Sequence, residues 1–63
     1  MDYKAFIRKY MKDNRISYAD LASVMGTTRQ NVWAILNKKD GNLSLTTLEK
    51  ICKALGLEMS DIL

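Results

Sequence analysis

The stretch SYADLASVMGTTRQNVWAIL, residues 17–36, contains two short helical patterns separated by one turn. Ser17 can cap the first helix, and Asp20 lies three residues later, where its carboxylate completes a capping box. Ile16 and Leu21 have the spacing of a hydrophobic staple around that cap. Gly26 follows the last apolar residues, as a left-handed helix terminus prefers. The pattern predicts a helix over about residues 18–25.

A further helix is predicted directly after the turn, over about residues 29–37. Thr28 is the preferred cap, and a capping box formed by Thr27 with Gln30 is the alternative. Two short helices joined by a turn of three or four residues with a glycine cross steeply, which is the helix-turn-helix unit. The inward face of the second helix is predicted from its apolar spacing to hold Val32, Ile35 and Leu36.

The rest of the chain also shows helical spacing. Residues 2–13 carry apolar side chains at helical intervals, and the segment from a Ser44 cap to Gly56 repeats the capping logic, with Leu43 and Leu48 as its staple. Proline is absent, and we find no strand-like alternation. The sequence therefore predicts a single all-α domain over residues 1–63, a compact bundle of five short helices whose last turn, in 58–63, packs Ile62 inward together with Leu57. The predicted core positions of the first and fourth helices are Tyr3, Phe6, Ile7, Tyr10, Met11, Leu48, Ile51, Cys52 and Leu55.

Composition narrows the class of protein. The 63 residues are 48% apolar and 27% charged, which is typical of an ordered globular domain. No apolar run approaches the ~20 residues that span a bilayer, and no signal-peptide pattern opens the chain, so no membrane partner is expected. A single cysteine, Cys52, cannot form an internal disulfide, and we expect a cytoplasmic protein. Histidine is absent, so we expect no enzyme, metal, cofactor or small-molecule substrate.

The charge is unevenly distributed along the chain. Residues 1–39 contain eight Lys and Arg against three acids, a balance of +5, whereas residues 40–63 contain two against four, a balance of −2. Positive charge gathered in one part of a small protein indicates a polyanionic partner, although a solvated helical surface is an equally good explanation on charge alone.

The outward face of the 29–37 helix carries the candidate DNA-reading side chains. Arg29, Gln30 and Trp33 share this face, and arginine pairs with guanine as glutamine or asparagine does with adenine. Asn31 is also predicted to contact bases, from the flank of the helix. Trp33 has three open roles: it contacts thymine methyl groups or sugar, folds back over its own domain, or meets a partner chain. Contacts to the DNA backbone are predicted for the helix starts and for the end of this helix, at Ser17, Thr28, Asn37, Lys38 and Lys39.

The sequence resembles the Cro/Xre-type helix-turn-helix domain of phage and bacterial repressors, a lambda repressor-like fold. The resemblance covers residues 7–63 and is carried by Leu21-Ala22, Gly26, Thr27-Thr28 and the block LSLTTLEKICKALGL, residues 43–57. It implies a five-helix bundle that binds double-stranded DNA, with Arg29, Gln30 and Asn31 at the reading end. Many members have a glutamine that contacts phosphate at the position of Tyr18, and the resemblance implies that the tyrosine hydroxyl takes this role.

A second departure from the family pattern concerns the core. Many members pair an arginine late in the first helix with a glutamate late in the third, and the corresponding positions here are Met11 and Leu36. Both partners are apolar together, so no buried charge is left without a counter-charge.

Two functions are consistent with these features. The first is a sequence-specific DNA-binding transcriptional regulator, a repressor of phage or mobile-element type. One module contacts only a short half-site, so we expect either a homodimer on a palindromic site, formed through the bundle itself, or a tandem site. The alternative is a protein-interaction module, such as an antitoxin or anti-repressor, that uses the same bundle and docks a partner through Trp33.

Overall fold

Four α-helices follow one another in the computed structural model, which describes residues 2–38 and 43–62. They are α1 (Tyr3–Asp13), α2 (Tyr18–Met25), α3 (Arg29–Asn37) and α4 (Leu45–Leu55), and these described ranges contain no strand. The expected fifth helix is a single turn of 3₁₀ helix, Met59–Asp61. Its hydrogen bonds run from Asp61 N to Glu58 O and from Ile62 N to Met59 O. They join residues three apart, which is the 3₁₀ spacing and not the four-residue spacing of an α-helix.

Side-chain caps start the helices where the sequence places them. Ser17 accepts the Asp20 N–H at 3.0 Å, Thr28 accepts the Asn31 N–H at 3.1 Å, and Ser44 accepts the Thr47 N–H at 3.1 Å. The capping box of α2 is confirmed, since the Asp20 carboxylate accepts the Ser17 N–H in return. Because Thr28 caps α3, the alternative box of Thr27 with Gln30 is not formed.

Three helices end in the same way. A residue with positive φ follows the helix at Arg15 (φ 55°), Gly26 (φ 72°) and Gly56 (φ 74°). The next N–H then bonds a carbonyl five residues back, as in the Thr27 N to Ala22 O bond of 2.9 Å. This is the Schellman arrangement, which favours glycine because a side chain is strained at positive φ. Arg15 also adopts a positive φ, although it carries a side chain.

The end of α3 is held by side chains of α1. Lys38 leaves the helix in extended conformation, so the last carbonyls have no left-handed cap. Arg8 Nη1 donates to Leu36 O, and Lys4 Nζ donates to Lys38 O at 2.9 Å. Two cations thus lie at the negative end of the α3 dipole, where positive charge is stabilising.

The core is apolar throughout the described part of the chain. α2, whose Leu21 and Ala22 belong to the core, packs against both α3 and α4, and α1 packs against α3. No polar or charged residue among residues 2–38 and 43–62 is buried, so the contacts in the interior between the helices are apolar. The ten buried side chains are Ile7, Met11, Leu21, Ala22, Val32, Leu36, Leu48, Ile51, Cys52 and Ile62.

Gly26 provides a test of the turn between α2 and α3. A Cβ at Gly26 would meet no atom within 4 Å, so a substitution there acts through backbone strain alone. We expect Gly26→Ala to lower the free energy of unfolding by about 1–2 kcal/mol, the cost of a left-handed L-residue. Denaturant unfolding measures this. Gly26→Asn is the control and should cost clearly less, because asparagine tolerates this conformation; equal losses would contradict the strain argument.

Met11 and Leu36 provide a test of the α1–α3 packing. Met11 is 3% exposed and Leu36 is fully buried, so Met11→Arg or Leu36→Glu alone places a charge in the core and should cost several kcal/mol (~3 or more). The double variant should be tolerated far better than either single variant, because the two charges pair. A double-mutant cycle by denaturant unfolding measures the coupling. Strictly additive losses would mean that the two side chains do not meet.

Candidate nucleic-acid interface

The outer face of α3 presents the predicted reading side chains to solvent. Arg29, Gln30 and Trp33 are exposed, whereas the inward-facing Val32 is 1% exposed. Trp33 remains 51% exposed, which is unusual for an indole unless another molecule covers it. The face therefore combines a guanidinium, an amide and a flat apolar ring within one helical turn and a half.

Asn31 is placed differently from its neighbours. Its Nδ2 donates to Thr27 Oγ1 at 3.0 Å, so the amide folds back onto the turn that precedes α3. Its backbone N–H is taken by the Thr28 cap. Part of the hydrogen-bonding capacity of Asn31 is therefore used inside the domain, and its predicted base contact relies on the remaining amide oxygen and N–H.

The start of α2 is only partly available to an anion. The capping box uses the N–H groups of Ser17 and Asp20. The backbone hydrogen bond from Ser17 holds the pKa of the Asp20 carboxyl below its usual value, so this negative charge persists at the helix start. The Ser17 hydroxyl accepts within the box and keeps its own proton for donation, as does the Thr28 hydroxyl at the start of α3. The two hydroxyls can thus cap their helices and still contact a phosphate.

A basic depression joins α1 to the starts of α2 and α3. Arg8 and Lys12 approach it from α1, and Arg29 from α3, so three cations surround a concave surface that also includes the α2 cap. Such a surface attracts a phosphate more strongly than the capped helix start does alone. The residues that line it are Arg8, Met11, Lys12, Ile16, Ser17, Tyr18 and Arg29.

Sequence reasoning missed the contribution of α1 to this depression. None of the basic side chains of α1 is among the DNA contacts that the sequence predicts. A signal was present, since Lys4, Arg8 and Lys12 are spaced four residues apart and so form one basic stripe along the helix. Lys4 and Arg8 hold the end of α3, and Arg8 and Lys12 line the depression.

Tyr18 and Asn37 connect the start of α2 to the end of α3. Asn37 is the last residue of α3. Its Nδ2 lies 3.1 Å from the Tyr18 hydroxyl oxygen and 3.0 Å from Trp33 O. Tyr18 and Asn37, both predicted to contact the DNA backbone, are therefore in contact with each other. Lys38, the next residue along the chain, is exposed, and Lys39 lies outside the described residues.

Residues 2–38 and 43–62 contain no group of three His, Cys, Asp or Glu side chains that could hold a metal ion. Cys52 is 1% exposed, and burial raises the pKa of its thiol. No helix within the same ranges has the length and hydropathy to cross a membrane.

The α2–α3 pair joined by a three-residue turn, its exposed polar face and the surrounding cations together define a helix-turn-helix DNA-binding domain. The family model of the Cro/C1-type HTH DNA-binding domain matches residues 7–63, nearly the whole chain, and the protein belongs to this family. Comparison with curated proteins and with solved structures gave no significant match.

Proposed function

We propose that the protein is a sequence-specific transcriptional regulator, a repressor of phage or mobile-element type, that reads the major groove of duplex DNA with α3. The observation that carries this proposal is the exposed face formed by Arg29, Gln30 and Trp33 beside the basic depression. Arg29 lies on both surfaces, so base reading and phosphate contact would occur side by side. The family membership supports DNA binding, and this arrangement supports α3 as the reading element.

The proposed division of labour follows from the chemistry of each side chain. Arg29 and Gln30 carry donors suited to base edges, and Asn31 and Trp33 extend that face. Ser17, Tyr18, Thr28 and Lys38 would contact phosphates, which fixes position but reads no sequence. To these the structure adds the α1 side chains that line the depression, Arg8 and Lys12.

We infer that two copies bind a palindromic site. One helix-turn-helix module presents only a few reading side chains and covers a short half-site. A second copy related by a twofold axis would double the number of base contacts and impose symmetry on the site.

Selection of bound duplexes from a random pool tests the function directly. Enrichment of a palindromic consensus supports sequence-specific binding by a pair of copies, and a consensus without symmetry supports binding by one copy. No enrichment, with no salt-dependent affinity for duplex DNA, would contradict the proposal. It would favour the protein-interaction alternative, in which the half-exposed Trp33 docks a partner.

Arg29 should contribute to sequence preference. We expect Arg29→Ala to relax the preference at one base position of the selected site, with a loss of about 1–3 kcal/mol against the preferred base, if the guanidinium forks a guanine. Affinities for the consensus and for each single-base variant measure this. An equal loss on every duplex would instead make Arg29 a phosphate contact.

Lys12 and Lys38 should contribute to affinity on every sequence. Each of Lys12→Ala and Lys38→Ala removes one cation from the proposed backbone contacts, and we expect each to lower the slope of log affinity against log salt by about one unit. Lys50→Ala and Lys53→Ala are matched controls, since these α4 lysines lie beside Val24 and Met25, away from the depression. Equal slopes for all four variants would contradict the assignment.

A further inference from the structure

The amide of Asn37 fixes the direction of a neighbouring hydroxyl proton. Nδ2 lies 3.0 Å from Trp33 O and 3.1 Å from the Tyr18 hydroxyl oxygen. The Trp33 carbonyl can only accept, which identifies the amide atom facing it as the nitrogen. An amide NH₂ group has two hydrogens and no acceptor site, so Asn37 donates one hydrogen to each oxygen.

The Tyr18 hydroxyl is therefore an acceptor toward Asn37. Since the Tyr18 oxygen receives a hydrogen from Asn37, its own O–H hydrogen points elsewhere and can serve another acceptor. Tyr18 also lines the depression that contains Arg8, Lys12 and Arg29. The positive charge of these three side chains favours an anionic acceptor for the hydroxyl proton, and a phosphate oxygen is a strong acceptor of this kind.

Asn37 itself is poorly arranged for a direct phosphate contact. Both amide hydrogens are used inside the domain. The remaining polar atom of the side chain, Oδ1, only accepts, and a phosphate oxygen offers it no hydrogen.

We propose that Asn37 is a positioning residue, which holds the Tyr18 hydroxyl as a donor to one backbone phosphate of the bound DNA. This inference rests on the proposed function, because it requires the depression to face duplex DNA. It replaces the expected direct contact of Asn37 with an indirect one. Asn37, the last residue of α3, thus orients a phosphate contact made by Tyr18, the first residue of α2. The hydrogen bond between them would fix the position of both helices relative to the DNA.

A double-mutant cycle on DNA affinity tests the coupling between the two residues. Tyr18→Phe removes the donor and should weaken binding to the selected duplex by about tenfold, the value of one hydrogen bond to a charged acceptor. Asn37→Ala should weaken binding by about threefold, because the hydroxyl remains but is free to rotate. In the Tyr18→Phe background, Asn37→Ala should weaken DNA binding no further. Equal losses from Asn37→Ala with and without Tyr18→Phe would overturn the positioning role and assign Asn37 an independent contact.

A phosphate scan distinguishes positioning from a general structural role. The selected duplex is prepared with single phosphates replaced, one at a time, by neutral methylphosphonate. The protein should lose affinity at the phosphate that Tyr18 contacts, and both Tyr18→Phe and Asn37→Ala should show a smaller loss at that same position. A variant that is merely less well folded would bind every duplex more weakly by the same factor, and that result would overturn the proposal.

The scan also distinguishes a failure of the Asn37 positioning role from a failure of the proposed DNA-binding function. If the unaltered protein shows no salt-dependent duplex binding, the proposed function fails and the role of Asn37 fails with it. If the protein binds and the two variants show unchanged phosphate scans, DNA binding stands and only the role of Asn37 is overturned.

Discussion

The turn between α2 and α3 is the constraint on which the rest of the structure depends. Residues 26–28 alone separate the two helices, and a chain of this length extends at most about 10–11 Å. Gly26 at φ 72° reverses the chain in one step, and Thr28 then starts the next helix at once. Two short helices joined by so short a turn are expected to cross steeply and not to run back along each other. One face of α3 is buried, and Arg29, Gln30 and Trp33 are left exposed.

The end of α3 is fixed by contacts of its own, so the helix is held at both ends. Arg8 and Lys4 of α1 bind its last carbonyls, and Asn37 bonds to Tyr18 of α2. The stripe that supplies the first two contacts also supplies Lys12 to the depression. Arg8 therefore both holds the end of α3 and adds positive charge to the depression, whereas Lys4 has only the first role and Lys12 only the second.

The sequence was sufficient for the features that depend on local chemistry. Capping at Ser17, helix termination at Gly26 and the burial of Leu36 follow from residue types at fixed short spacings, and the helix boundaries were accordingly predicted within about one residue. The left-handed conformation of Arg15 was not predictable in this way, because arginine carries no preference for positive φ. Contacts between distant residues, such as Arg8 with Leu36 O and Asn37 with Tyr18, depend on how the helices pack. The base and phosphate contacts of the site stay predictions, since they require the DNA partner.

The magnitudes of DNA recognition connect the small size of this domain to the proposed binding of a second copy. A good bidentate pair discriminates against the wrong base by about 1–3 kcal/mol. Arg29 and Gln30 are the two exposed side chains of α3 with suitable donors and no competing hydrogen bond inside the described part of the domain, so one copy would discriminate by about 2–6 kcal/mol. Specific sites are bound more tightly than non-specific DNA by about 4–10 kcal/mol. Two copies would together discriminate by about 4–12 kcal/mol, which covers the range found for specific sites. One copy alone reaches only the lower part of that range. The limited reading face of α3 is thus the physical argument for a symmetric pair.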